Sequence, residues 1–248
     1  MNIIISITKR NLKEIFREPI SLIFLIGLPI VMQVLFYYMF HQLTSQFEMK
    51  YLAPGMIGFA NAFLALFLAI LVSTDRETAF ITRIYTTPVT SYQFILAYVF
   101  AVIPLGLCQS AVILLVGGII EPTFFSLNLL LIIPASLLSI ITFASLGILF
   151  GSLFSTKAVG GICSILISGQ SILSGMWFPL EGMSSAFIAF MNALPFKNVS
   201  TLFQVIATPS LINSAFNDLW LPIIIILVYA ILSTVFSCIA FVKNSKSK

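Results

Sequence analysis

The chain has 248 residues, 60% of them hydrophobic and only 8% charged, with 12 Lys and Arg against 8 Asp and Glu for a net charge of +4. A soluble domain covers its surface with roughly a quarter charged residues, so this composition and a mean hydropathy of +1.12 exclude that class. Hydrophobic runs recur instead, and a helix of about 20 apolar residues has the length of a bilayer's hydrocarbon core.

Windows free of charge fall at roughly 20–40, 52–73, 94–119, 125–153, 158–178 and 219–242. They predict an all-α membrane protein of six transmembrane helices, a single transmembrane domain over 1–248. The windows are too long for barrel strands and lack polar–apolar alternation. The first is too long for a signal peptide, and no small-x-small cleavage pattern closes it before His41.

Between the second and third windows lies TDRETAFITRIYTTPVTSY, residues 74–92, where charge gathers. A short surface helix is predicted here, with Thr74 as N-cap and Glu77 completing a capping box. Thr87-Pro88 ends it, because the residue before proline disfavours helix. Phe80, Ile81 and Ile84 give it an apolar side, and Asp75, Arg76 and Arg83 a charged one. The alternative is an ordinary charged loop.

The fourth window holds Gly147-x-x-x-Gly151, and the fifth holds Gly160, Ser164 and Ser168 at four-residue steps. Both patterns permit close approach of another helix. SGQS at 168–171 resembles the serine-glycine signature of ATP-binding cassette ATPases but is embedded in an apolar span, and no G-x-x-x-x-G-K-[ST] loop occurs to hold nucleotide phosphates. After the fifth window, SSAFIAFMNALPF at 184–196 is apolar but too short to cross.

Six crossings from a cytoplasmic N-terminus place Lys9, Arg10, Lys13, Arg17, Arg76, Arg83, Lys157, Lys243, Lys246 and Lys248 inside, and only Lys50 and Lys197 outside. That meets the positive-inside rule, which a seventh crossing would spoil. The basic balance is therefore read as orientation in the cell membrane, with both termini cytoplasmic, and not as nucleic-acid binding. Trp177 and Trp220 fall at predicted outer ends, as interfacial anchors. Cys108, Cys163 and Cys238 lie inside spans without paired spacing and read as small packing residues, and the single histidine, His41, as a solvated loop residue. No metal, cofactor or catalytic site is expected, because the spans hold no carboxylate, histidine or lysine to supply acid–base or nucleophilic chemistry. The same lack weighs against an ion-coupled carrier.

Four features together resemble the permease subunit of an export-type ABC transporter, of the type-2 ABC permease family. ITKRNLKEIFREPI at 7–20 carries Arg17-Glu18-Pro19, matching that family's N-terminal amphipathic helix and Arg-x-Pro turn. Asp75-Arg76-Glu77, Arg83 and Thr87-Pro88-Val89 match its loop after the second span. Gly175-Met176-Trp177-Phe178-Pro179 matches its Gly-x-x-Phe-Pro pattern, and Leu194-Pro195 the end of its re-entrant stretch. Six spans with both ends inside is its layout. One departure is Thr78-Ala79-Phe80, where the family often has glycine.

The resemblance implies a cytoplasmic surface helix over 1–19, a coupling loop over 74–92 and an outer re-entrant segment over 179–196. It also implies a separate ABC ATPase subunit as motor and a second permease copy or paralogue. The ATPase-coupling residues would be Arg17, Glu18, Asp75, Arg76, Glu77, Phe80, Arg83, Ile84, Tyr85, Thr87 and Pro88. Arg76, Glu77 and Arg83 would make polar contacts with the motor or the surface helix, and Phe80, Ile84 and Tyr85 buried ones. Gly175, Phe178, Pro179, Glu181 and Pro195 would form the outer gate. Uncharged, Phe-rich spans suit a hydrophobic or amphipathic substrate such as a drug, lipid or peptide. Polysaccharide or lipid-linked glycan export, an ion-coupled transporter and a non-transporting scaffold stay open as alternatives.

Overall fold

The architecture is a computed structural model that describes residues 2–78, 90–178, 182–212, 214 and 216–245. Every regular element among them is helical. In chain order these are α1 (Asn2–Arg17), α2 (Pro19–Leu22), α3 (Leu28–Phe40), α4 (Met49–Glu77), α5 (Ser91–Ile120), α6 (Leu129–Leu153), α7 (Thr156–Leu173), α8 (Ser185–Ala193), α9 (Pro195–Ala207) and α10 (Leu221–Ser245). A π-helical turn, Ile23–Gly27, joins α2 to α3, and another, Phe216–Trp220, leads into α10. Six helical segments are long and apolar enough to cross a membrane: Ile23–Phe40, Met49–Glu77, Tyr92–Ile120, Leu129–Leu153, Thr156–Leu173 and Phe216–Phe241. They make this a multi-pass membrane protein.

Helix α4 is the axis of the bundle, with most of its length buried. Glycine lets α6 lie directly on it. A Cβ on Gly147 would stand 2.4 Å from the Ala65 carbonyl oxygen, and one on Gly151 2.5 Å from that of Ala69. In lipid the spans gain nothing from burying apolar surface against each other, so close packing and interhelical hydrogen bonds hold them. Asn61 of α4 donates to Ser139 Oγ of α6 at 2.6 Å, and Ser237 of α10 donates to the Ser145 carbonyl at 2.7 Å.

Proline explains one such bond. Pro29 lacks the N–H that would pair with the Leu25 carbonyl one turn back, and the buried Gln109 amide of α5 donates to that oxygen at 2.6 Å. The π-helical turn lies at the same place.

The structure gives several of these residues their settings. Gly160 has no atom within 4 Å of a Cβ built on it, and Ser164 and Ser168 are exposed, so the small-residue row of α7 meets no helix among the described residues. Trp177 is half-buried, with its ring centroid 5.0 Å from that of Phe36 and 5.4 Å from that of Phe59, whereas Trp220 is exposed. His41 stacks on Tyr37 at 4.5 Å, and its Nδ1 lies 2.7 Å from the Tyr37 carbonyl oxygen. Cys163 is buried, but Cys108 is exposed.

Candidate functional site

Thr74 is not the N-cap of a surface helix, and residues 79–89 of that predicted helix lie outside the described residues. Helix α4 runs through Thr74 to Glu77, and the Thr74 carbonyl accepts the Thr78 N–H at 3.0 Å as an ordinary helical bond. The charges at 75–77 therefore sit on the last turn of a spanning helix. That helix extends past its apolar stretch because each of the three side chains finds a partner.

Asp75 is only 2% exposed. An unpaired carboxylate so placed would be costly, and two other helices meet it. Arg10 of α1 forks onto it, with Nη2 donating to Oδ1 at 2.6 Å and Nη1 bonded to Oδ2. The Tyr98 hydroxyl of α5 donates to Oδ2 at 2.6 Å. Arg10 also pairs with Glu14 one turn along α1, at 2.6 Å. Burial alone would lower the Arg10 pKa, but the hydrogen bond and charge of Asp75, with Glu14 behind them, hold it above its ordinary value. Burial lifts the Glu14 carboxyl, against the opposing pull of Arg10. A two-pronged, charge-assisted contact of this kind fixes orientation as well as attraction.

Successive helical residues point about 100° apart, so Arg76 and Glu77 face elsewhere. The two Nη atoms of Arg76 donate to the Ser152 and Phe154 carbonyls at the end of α6. Glu77 Oε1 accepts the Thr156 N–H at 3.0 Å, at the start of α7, and Thr156 Oγ1 bonds to Ser73 Oγ at 3.3 Å.

Arg17 and Glu18 are exposed at the end of α1. With Arg10, Lys13 and Glu14 they line a charged depression of about 400 Å³. A narrower groove of about 180 Å³ lies between α1 and α4, lined by Glu14, Ile15, Glu18, Phe67, Ile70, Leu71 and Thr74. Phe80, Arg83, Ile84, Tyr85, Thr87 and Pro88 lie outside the described residues.

At the opposite end of the bundle, Gly175 has φ +70°, a left-handed conformation that suits glycine just past the end of α7. Gln46 clamps this turn, donating to the Gly175 carbonyl at 3.3 Å and the Phe178 carbonyl at 2.8 Å. Pro195 is buried at the first position of α9, where its missing N–H costs nothing, and Leu194 before it is extended. Asn198 ties the elbow between α8 and α9, donating to the Asn192 and Leu194 carbonyls at 2.8 and 2.6 Å. Burial lowers the Lys197 amine. Pro179 and Glu181 lie outside the described residues.

The structure thus separates two groups by the length of the bundle, and it divides the first of them. Asp75 joins α1 and α5, whereas Arg76 and Glu77 join the α6–α7 turn. Arg10, Tyr98 and Thr156 belong to this constellation and were not singled out from the sequence. The only sequence signal was a carboxylate directly after an apolar window, which demands a cation.

The family description ABC-2 type transporter matches residues 3–208. A search of curated proteins finds none that matches. The membrane domain of that family is the permease part of a transporter, not a nucleotide-binding or catalytic domain, and the family implies an ATPase partner. By a match that takes in α1 through α9, this chain belongs to the ABC-2 type transporter family.

Proposed function

We propose that the chain is the membrane-spanning permease subunit of an ATP-driven exporter. In this reading the end carrying α1 and the 78–90 segment faces the cytoplasm, and a separate ATPase docks there. The observation that carries it is the Arg10–Asp75–Tyr98 junction. It welds α1, α4 and α5 into one unit at the point where the 78–90 segment leaves α4. Force applied to that segment and to α1 is then delivered to two spans together, as transmission through packed, hydrogen-bonded elements requires.

Helix α1 suits a surface position. Ile7, Asn11 and Ile15 turn inward, while Lys9, Lys13 and Arg17 stay exposed on the other side. At the outer end, α8 and α9 have 9 and 13 residues, too few to cross. The buried face of α9 supports a re-entrant hairpin that covers the exit, with Gly175, Phe178 and Pro195 at its base, and the family resemblance assigns Pro179 and Glu181 to the same gate. A second permease copy completes the pathway. The uncharged spans favour a hydrophobic or amphipathic substrate.

The test is co-purification from membranes with the ATPase, followed by ATP hydrolysis in the isolated complex. Phe80→Asp and Arg83→Glu are expected to abolish ATPase retention. Retention and substrate-stimulated hydrolysis at wild-type levels in both variants would refute the docking assignment.

A further inference from the structure

We infer that Arg76 and Glu77 are not contacts for the ATPase but positioning residues that clasp the α6–α7 turn to α4. They would carry movement of the last turn of α4 into α7. The inference rests on the permease reading above and assigns these two residues a role inside the chain.

Two open helix ends meet at this turn. The last carbonyls of α6 and the first N–H groups of α7 have no partners within their own helices. Ser155, the residue placed to cap α7, makes no side-chain cap bond. Both deficits are met from α4. The Arg76 fork takes the Ser152 and Phe154 carbonyls, and the Glu77 carboxylate takes the Thr156 N–H. Each charge also has the favourable sign for its end, cation at a helix C-terminus and anion at an N-terminus.

The linkage is short and stiff. Only Phe154 and Ser155 separate α6 from α7. One turn back from the clasp, a Cβ on Gly151 would stand 2.5 Å from the Ala69 carbonyl and 2.8 Å from Val72 Cβ, so α4 and α6 are in direct contact there. Helix α7 lies along α4, with Val159, Cys163, Leu166 and Gln170 buried on one side and Gly161, Ser164, Ile165 and Ser168 exposed on the other. A tilt of the last turn of α4 therefore moves the start of α7, and the buried face takes the rest of α7 with it. Arg76, with both Nη atoms committed within the chain, is poorly placed to bind a partner as well.

The experiment uses the permease reconstituted with its ATPase in lipid nanodiscs. Glu77→Ala removes the acceptor and Glu77→Gln keeps an acceptor oxygen. Thr156→Pro removes the donor at the first helical position, where proline is tolerated. Three quantities are read: ATPase affinity, substrate-stimulated turnover per bound complex, and hydrogen exchange of the Thr156 amide in the variants that retain it. Glu77→Ala and Thr156→Pro are each expected to lower stimulated turnover by about fivefold or more, with the double variant no worse than either. ATPase affinity should stay within about twofold of wild type, a change too small to mark a lost contact. Glu77→Gln should retain most of the turnover. Exchange at Thr156 should rise about tenfold in Glu77→Ala, as for an amide that loses its acceptor.

Weakened ATPase affinity with unchanged turnover per complex would overturn the inference, as would unchanged turnover in Glu77→Ala. If Glu77→Ala fails to fold, the comparison rests on Glu77→Gln and Thr156→Pro, and full turnover in Thr156→Pro refutes the clasp. A wild-type chain that retains no ATPase refutes the permease reading instead. Exchange at Thr156 in the chain alone still tests the clasp in that event.

Discussion

Replacing Arg10 with alanine tests the three-helix junction most directly. The change leaves Asp75, 2% exposed, with the Tyr98 hydroxyl as its remaining donor in the junction. Removing one member of a buried ion pair costs about 3–5 kcal/mol. Here the Arg10 side chain is 31% exposed, and Tyr98 stays, so solvent screening reduces the cost to about 2–3 kcal/mol. At 1.4 kcal/mol per factor of ten, that raises the open population of α1 by about 30- to 140-fold. Hydrogen exchange of α1 amides in nanodiscs reads this population directly, and exchange within α4 and α6 should change little. Tyr98→Phe, which removes one hydrogen bond to a charged group, should cost about 1.5 kcal/mol or more by the same measure. An Arg10→Met/Asp75→Leu/Tyr98→Phe triple variant should recover most of the loss, because it removes both charges together with the buried hydroxyl that would otherwise lose its acceptor. Wild-type exchange in Arg10→Ala would refute the argument. So would additivity of Arg10→Ala and Asp75→Asn to within about 0.5 kcal/mol, the value expected of sites that do not interact.

The spans were legible because a bilayer imposes a length and an exclusion of charge that few sequences meet by accident. Arg17-Glu18-Pro19 marked the end of α1 for a local reason, since proline has no N–H to continue the helix. What failed to show was long-range. Thr74 has the residue types of a helix start around it, yet the charges that suggested a start are taken up by Arg10, 65 positions earlier, and by Ser152 and Thr156, 76 and 79 positions from their partners. A local pattern cannot report such partners, and they decided that α4 continues. The small residues of α6 and α7 also look alike as text. Only the packing separates Gly151, pressed on Ala69, from Gly160, where an added Cβ meets no atom of the described residues. Gln109 lies within the charge-free window 94–119 with no local mark of its role, because the carbonyl it serves is exposed by a proline in a different helix.

Three further predictions follow from the same geometry. Burial raises the Glu14 carboxyl, so its protonated form suits the folded state; the attachment of α1 should weaken slightly as pH rises from the ordinary carboxylate range through the raised value, and Glu14→Gln should flatten that slope in the same exchange measurement. In a background with Cys108, Cys163 and Cys238 replaced by serine, cysteines at Ser185 and Ser245 should react with impermeant maleimide from opposite sides of the membrane, and same-side labelling would refute the six-crossing topology. The two rows of small residues should respond in opposite ways to a single added methyl. Gly147→Ala drives a Cβ to 2.4 Å from a backbone oxygen, which no rotamer change relieves, so α4 and α6 must part, at a cost of about 1–3 kcal/mol and a thermal midpoint lower by about 2–12 °C. Gly160→Ala adds its methyl to open space in a helix that gains about 1 kcal/mol from alanine, so the isolated chain should be as stable as wild type or more so. Equal destabilisation by both substitutions in the monomeric chain would mean that helix propensity and general crowding, not the contact of α6 with α4, set the response, and the close-packed axis proposed for the bundle would have to be abandoned.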